Sequence, residues 1–427
     1  MQKTLFESFS SPVVEKCDVL ICGGGPAGVA SALAAARSGA KTTLIEVHGC
    51  LGGVWTAGCL SWLIDYKNKS GIMAEILQRL EQAGGRAITR AGERSSAYDP
   101  EIMKCLLEEM VVEAGIHVRL HSRIVAAHVD DEGRLSHVIS ESKSGREAWS
   151  ANVFIDATGD GDLAAQAGCG FDMGHPESKE TQPMSLMALL TGLDPEKIKE
   201  FFEETSGDEK EHAKSRLFNH LKAHGHSPSY ASPTLFRIRD GLFALMANHE
   251  YGVLGINAED VTKATLNARR ELNSIIRTLK ESGPPWDNIS LVATAGQIGI
   301  REGRRIHGRY RVTIEDLLEG RKHEDCICEA TFCVDVHSTN PRQGKGYSDM
   351  DLEIVPYQIP LRAAIAADVN GLMMAGRCIS GDFFAHASYR VTGNAVLMGE
   401  NVGKAAAYAS ENSIMPHEII SHKLATV

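Results

Sequence analysis

A run of about 20 uninterrupted apolar residues, the length needed to cross a bilayer, is missing from this chain of 427 residues; the Ala-rich stretch from Ala27 to Ala36 is short and broken by Ser31. No transmembrane helix is therefore expected. The opening MQKTLFESFSSPVVEKCDVLICGG lacks a basic start followed by a cleavable apolar core, so no export signal is expected either. Positive charge is short as well: 44 Lys and Arg face 55 Asp and Glu, for a net charge of −11. That balance excludes nonspecific nucleic-acid binding and a basic membrane-surface patch, which both need cations to meet phosphates. Ten cysteines are scattered without a C-x-x-C pair, a pattern of reduced thiols and a cytoplasmic location rather than of a disulfide framework. Low-complexity tracts and solenoid-type repeats are also absent.

What is there reads as a globular enzyme. The length exceeds one ordinary hydrophobic core and predicts two domains able to bury a large cofactor. The run CDVLIC (Cys17–Cys22) is a buried strand, GGGPAG a turn, VASALAAARSGA a helix stopped at Gly39, and KTTLIEV (Lys41–Val47) a second buried strand, which together make one βαβ unit. Asp99 and Pro100 predict the start of a helix over Asp99–Ala114. Strands are expected at Ile116–Leu120, Ile124–Val129, Leu135–Ser140 and Val153–Asp156, the middle pair forming an antiparallel meander. Charged helices around Pro195–Lys222, an Arg-rich segment at 301–311 and a Cys- and His-containing stretch set the middle of the chain apart. A buried strand at Gly371–Ala375 and an Ala- and Gly-rich helix from about Gly393 to Ser410 follow. The fold class expected is α/β: a Rossmann-like domain over 14–180, closed by 351–427, with an inserted mixed α/β substrate domain over 181–350.

Gly23, Gly25 and Gly28 form G-x-G-x-x-G between strand and helix. Such a turn brings backbone close to a pyrophosphate at a positive helix N-terminus, with Pro26 and Ala27 inside it. Glu46 stands eighteen residues beyond Gly28, at the end of the next strand, where a carboxylate accepts both ribose hydroxyls of an adenosine and disfavours a 2′-phosphate. The alternative is an ordinary glycine turn, but strand, helix and acid in register point to dinucleotide binding. FAD and NAD share this unit.

HGCLGGVWTAG (48–58), FIDATGDGDLAAQAG (154–168) and the closing segment 373–409 resemble the glycine, Ala-Thr-Gly-Asp and terminal segments of glutathione-reductase-type flavoproteins. Together with IGIREGRRIHGRYRV (298–312), they are similar to a family of FAD-dependent oxidoreductases. The resemblance is good at both ends and poor between 180 and 295. It implies FAD as cofactor, with Gly52, Gly53 and Val54 beside the pyrophosphate and ribityl chain. Thr158 and Gly159 would follow the meander, and Gly393, Asn394 and Ala395 would start a final helix whose free N–H groups favour negative charge on the flavin pyrimidine. A plain packed helix is the alternative there. Asp382 either binds the ribityl hydroxyls or caps a turn.

His386, Ser388 and Arg390 lie in HASYR just before that helix. A histidine there moves a proton and an arginine holds an anionic oxygen; a structural histidine with a surface arginine is the bland alternative. Arg301 is the preferred anion ligand among Arg301, Arg304, Arg305 and His307, whose alternative is a solvated basic helix. Cys326, Cys328, Cys333, His323 and His337 crowd together, but without a knuckle no metal is expected. The absence of a C-x4-C after the second strand disfavours disulfide-reductase chemistry, and a single G-x-G-x-x-G disfavours a separate NAD(P)H domain.

The expected activity is hydride transfer between flavin N5 and a small polar, anionic substrate. A flavoprotein isomerase or lyase without net redox, and an electron-transfer subunit, are the rivals. Partners are a small molecule, with neither nucleic acid nor membrane, and homo-oligomerisation stays open.

Overall fold

The computed structural model describes residues 5–202 and 209–419. Strand β1 (Val13–Cys22) ends in Val19, Leu20, Ile21 and Cys22, all fully buried, because an interior parallel strand is covered on both faces. It leads through the glycine turn into α1 (Pro26–Arg37) and returns as β2 (Thr42–Ile45). With β3 (His117–Arg119) and β6 (Gly145–Asp156) these make a parallel sheet in the order β3-β2-β1-β6. Strands β4 (Arg123–Val129) and β5 (Leu135–Ser142) add to β6 as an antiparallel meander. The strand Leu372–Met374 runs parallel to the last residues of β6, Phe154–Asp156. Strand β6 is longer than the expected Val153–Asp156. Its first half, GREAWSA, pairs with β5 and keeps a partly exposed face, so it lacks the continuous apolar run by which a doubly covered strand is recognised. The expected helix cap holds: Asp99 accepts from the Glu101 N–H at 3.0 Å, ahead of Pro100.

The closing helix, Thr392–Glu411, packs along α1. Close approach requires glycine at two of its positions. A Cβ on Gly399 would lie 2.2 Å from the Ala27 carbonyl oxygen, and one on Gly403 2.2 Å from that of Ser31. Both contacts advance along the two helices together, so the helices are parallel. Thr392 precedes Gly399 by seven positions, whereas Pro26 precedes Ala27 by one. At the rise of an α-helix, the closing helix therefore starts about 9 Å before the level at which α1 starts.

A second core lies over a four-stranded antiparallel sheet in the order Ser290–Thr294, Ala188–Thr191, Leu242–Met246, Thr234–Arg239. The helix Ala258–Glu281 covers it with Ala264, Ala268, Leu272, Ile275 and Leu279. Trp62 from the first segment reaches into this core and stacks on Phe236 at 4.8 Å. The expected span 181–350 does not behave as one unit: Ile306, Val312, Leu317, Ile327, Cys328, Ala330 and Val334 pack into the first core. The strand Cys326–Ala330 pairs with Tyr357–Pro360 there. Charge content marks exposed surface and does not say which core a segment joins. Of the helices expected around 195–222, Glu209–Ala223 is a helix, whereas 195–202 is a run of turns and bends, and 203–208 lies outside the described residues.

Candidate active site

Each glycine of the G-x-G-x-x-G turn does something different. Gly23 has φ +102°, and a Cβ there would lie 2.4 Å from the Ala157 carbonyl oxygen; one on Gly28 would lie 1.8 Å from that of Gly23. Those two allow the turn to close on itself. Gly25 faces open space, with nothing within 4 Å of where its Cβ would be, and as N-cap of α1 it brings no side chain to the helix end. The amides there are left for a ligand. Gly52 donates to the Gly24 carbonyl at 2.7 Å, and the missing Cβ of Gly53 would be 3.0 Å from Gly25 Cα. The second glycine segment is thus laid directly on the first, and Val54 follows in the turn Gly53–Trp55.

Glu46 is buried at the end of β2, its carboxylate accepting from Gly24 N–H at 2.5 Å and His48 N–H at 2.8 Å. The acid that an adenosine would meet is thereby tied to the turn that would hold the pyrophosphate. Beyond β6, Asp156 is fully buried and accepts from the Thr158 hydroxyl at 2.7 Å and from the Thr158 and Ala164 amides. Burial pushes its carboxyl up to about 6. Gly159 follows with φ +82°, its carbonyl accepting from Arg377 Nε at 3.1 Å.

At the start of the closing helix Gly393 is not free: its N–H donates to the Ile64 carbonyl at 3.0 Å, and a Cβ would lie 2.2 Å from the Asp65 oxygen. The expectation that this amide awaits a flavin is corrected accordingly, because a loop 330 residues earlier, out of reach of any local pattern, takes it. Buried Thr392 Oγ1 and Asn394 Nδ2 are side-chain atoms there without partners, with Ala395 behind them in the first turn. Asp382 caps the short helix Phe383–Tyr389, accepting from Ala385 N–H at 2.7 Å and Ile314 N–H at 2.8 Å. Capping is the role its hydrogen bonds satisfy. An open glycine cradle, a helix end with unspent amides and unpartnered buried donors fit a flavin dinucleotide.

HASYR ends the short helix Phe383–Tyr389, with Arg390 as its C-cap, just before the closing helix. His386 is fully buried, and its ring nitrogens have no partner in good hydrogen-bonding geometry, the Arg377 main chain offering only a weak one. Burial, then the nearby charges of Arg305, Arg390 and Arg377, drive its pKa far below that of a free imidazole, so the ring is neutral. Arg390 donates to the Asp335 carboxylate at 3.2 Å, the Asp335 carbonyl at 2.9 Å and Gln182 Oε1 at 3.3 Å. Asp335 also contacts His337 Nε2 at 3.3 Å, and His337 Nδ1 meets His249 Nε2 at 3.2 Å. Arg301, half-buried, donates to the Pro183 carbonyl at 2.7 Å and the Ser185 hydroxyl at 2.8 Å, and meets Met246 Sδ, a weak acceptor, at 3.7 Å. Burial and then Arg390 pull its pKa down to about 10. The closing segment and the 301–337 segment therefore meet in one cluster. Buried donors still without acceptors are Arg390 Nε and Gln182 Nε2.

Residues 18–427 match the model of the family described as FAD dependent oxidoreductase. The chain belongs to that family. It is an FAD-dependent enzyme. Two curated mitochondrial dihydrolipoyl dehydrogenases of Arabidopsis thaliana are 45% and 43% identical to it, over 58 residues each. Those matches cover 13% of this chain and 11% of each relative. Among solved structures, similarity extends to a geranylgeranyl bacteriochlorophyll reductase-like protein from Thermoplasma acidophilum, at 14% identity, TM-score 0.49, and 96% and 83% of the two chains. It extends also to p-nitrophenol 4-monooxygenase from Pseudomonas putida, at 13% identity, TM-score 0.46, and 94% and 82%.

Several residues of this candidate site carry no signal in a sequence window. Arg377 ties three segments together, donating to the carbonyls of Gly159 and Ile300 (2.7 Å) and pairing with Asp160 at 2.5 Å. Gln182, His249 and Asp335 arrive from distant loops; only the D-x-H spacing of Asp335 and His337, which puts both on one side of an extended stretch, is local. Arg304 and Arg305 do not form a solvated helix. Arg305 is buried on Glu302 and the Gly174 carbonyl, and Arg304 pairs with Asp162 at 2.9 Å. Among the described residues no three His, Cys, Asp or Glu side chains are placed to hold a metal, and no helix is long and apolar enough to cross a membrane.

Proposed function

We propose that this oxidoreductase acts on a small anionic substrate held by Arg390 and Arg301, with His386 exchanging a proton with it. The observation that carries the reading is the meeting of Arg390, Asp335, Gln182, His337 and Arg301 in one largely buried cluster. Two guanidinium groups share a region with one carboxylate, both adjoining histidines are kept neutral by burial, and buried N–H donors await acceptors. An anion completes that set in charge and in hydrogen bonds. His386 is neutral and so keeps a ring nitrogen able to accept a proton, and the charge of a bound anion would favour that step against burial and the neighbouring arginines.

On this reading Gly23, Gly25, Pro26, Ala27, Gly28, Gly52, Gly53 and Val54 cradle the pyrophosphate, and Glu46 takes the adenosine ribose. Thr158 and Gly159 line the middle of the cofactor, with Thr392, Asn394 and Ala395 at its pyrimidine end, a superfamily arrangement like that of glutathione-reductase-type flavoproteins. FAD, when bound, supplies a hydride acceptor or donor at N5. The 9 Å advance of the closing helix past α1 suits the separation of pyrophosphate and ring.

The test is anaerobic mixing of the yellow protein with panels of small carboxylates and of their neutral amides. Bleaching by carboxylates alone supports the reading. Turnover without bleaching favours isomerase or lyase chemistry, and bleaching only with a second protein favours electron transfer; either would overturn it.

A further inference from the structure

Behind the anion cluster runs a chain of hydrogen bonds that the reaction above leaves unused. His337 Nε2 lies 3.3 Å from Asp335 Oδ2, His337 Nδ1 3.2 Å from His249 Nε2, and His249 Nδ1 3.1 Å from the Tyr251 hydroxyl, which lies 3.2 Å from the Ser229 carbonyl. Both imidazoles are buried, whereas Tyr251 is half-buried and the Asp335 side chain keeps 20% of its exposure. The chain thus has a closed middle and two ends that reach open space.

Proton bookkeeping permits two arrangements. In one, the Tyr251 hydroxyl donates to His249 Nδ1, His249 Nε2–H donates to His337 Nδ1, and His337 Nε2–H donates to Asp335. In the other, the hydroxyl donates to the Ser229 carbonyl, His249 Nδ1–H to Tyr251, and His337 Nδ1–H to His249. That leaves the His337 Nε2 lone pair facing Asp335, which requires a proton on the carboxyl. The first becomes the second when one proton enters at Tyr251 and every proton in the chain moves one place. One proton is then delivered at Asp335, and the reverse shift carries one out.

We propose that Tyr251, His249, His337 and Asp335 are a proton relay joining the pocket of Arg390 and Arg301 to the surface. Its use in turnover rests on the reading of that pocket as the substrate site; its existence does not. The neighbouring groups suit the role. The charges of Arg301 and Arg390 act on His337, the Tyr230 and Tyr347 rings lie 5.8 Å from it, and Tyr230 lies 4.1 Å from His249. Glu271, which accepts from the Ser229 amide and hydroxyl at 2.6 Å, stands beyond Tyr251. Burial and Arg301 keep both rings neutral. Although burial alone would raise it, the His337 N–H and Arg390 hold the Asp335 carboxyl below the usual carboxylate range, so it rests ionised, as in the first arrangement, and passes a delivered proton on rather than keeping it.

The experiment follows ring N–H exchange at His337 in FAD-loaded, 15N-histidine-labelled protein after transfer to D2O. Tyr251→Phe removes the outer donor and should slow this exchange by about tenfold or more, with the flavin spectrum and thermal midpoint unchanged. His249→Gln, which keeps a hydrogen-bonding side chain but lacks an imidazole, should slow it likewise. Unchanged exchange in both variants overturns the relay. Acetate, titrated into the same sample, reads the pocket separately: no shift of the His337 resonances would overturn the substrate site and leave the exchange result standing.

Discussion

The missing Cβ of Gly399 would sit 2.2 Å from the carbonyl oxygen of Ala27, so the closing helix touches α1 backbone to backbone. Ser31 Oγ, one turn further on, donates to the Gly399 carbonyl at 3.0 Å. Two segments separated by most of the chain are held together here, and the spacing of two helix starts depends on it.

Gly399→Ala would gain up to about 1 kcal/mol in helix propensity and lose about 1 to 3 kcal/mol to overpacking against backbone that cannot give. Overpacking wins. Net destabilisation in urea unfolding, together with weaker FAD retention on gel filtration, is the expected outcome; a more stable protein would show that the helices separate freely.

Acid treatment should release FAD rather than FMN. Glu46→Ala should weaken FAD binding by about 1 to 3 kcal/mol, since it removes the proposed ribose acceptor and also leaves the Gly24 and His48 amides unpaired. Flavin fluorescence titration reads the change, and unchanged affinity would place the adenosine elsewhere.

His386→Ala should leave flavin occupancy intact and slow flavin reduction by substrate about 10²-fold to 10⁴-fold. Arg390→Ala should act on substrate capture, raising KM more than it lowers kcat. Because Arg390 also neutralises Asp335, Arg390→Lys is the companion variant that retains the charge. If His386→Ala turns over like the parent enzyme, proton exchange at that ring is excluded.

His337 is held neutral, its pKa pushed down to about 4 chiefly by burial and by Arg301, whereas an unfolded histidine titrates near 6.5. Between those values the unfolded chain binds the extra proton. Stability from this group is therefore fully present above about pH 6.5 and falls toward pH 4 by up to about 1.4 kcal/mol per pH unit. Urea unfolding at pH 7.5 and pH 5 should show a loss that His337→Asn reduces; an equal loss in both proteins would assign it to other groups.

Local chemistry was enough for the βαβ unit and its glycine turn. Gly23, Gly25, Gly28 and Glu46 are legible because the turn they make, the strands before and after it and the helix it opens all lie within about thirty residues of chain, where φ, burial and spacing act directly on neighbours. The same holds for Asp99 and its helix. The substrate side was decided by tertiary structure. Arg390 and Arg301 stood out in the sequence as candidate anion ligands, but they and Asp335, His337, His249 and Gln182 come from segments up to some two hundred residues apart, and Asp335, His249 and Gln182 each read alone as an ordinary polar residue. The packing of two cores against each other is what removes water from them, sets their charges against one another and leaves some of their donors without acceptors. Gly393 shows the converse: its amide was read as free for a ligand, and the Ile64 carbonyl from a remote loop takes it, since a hydrogen-bond partner across the fold leaves no trace in the residues beside it.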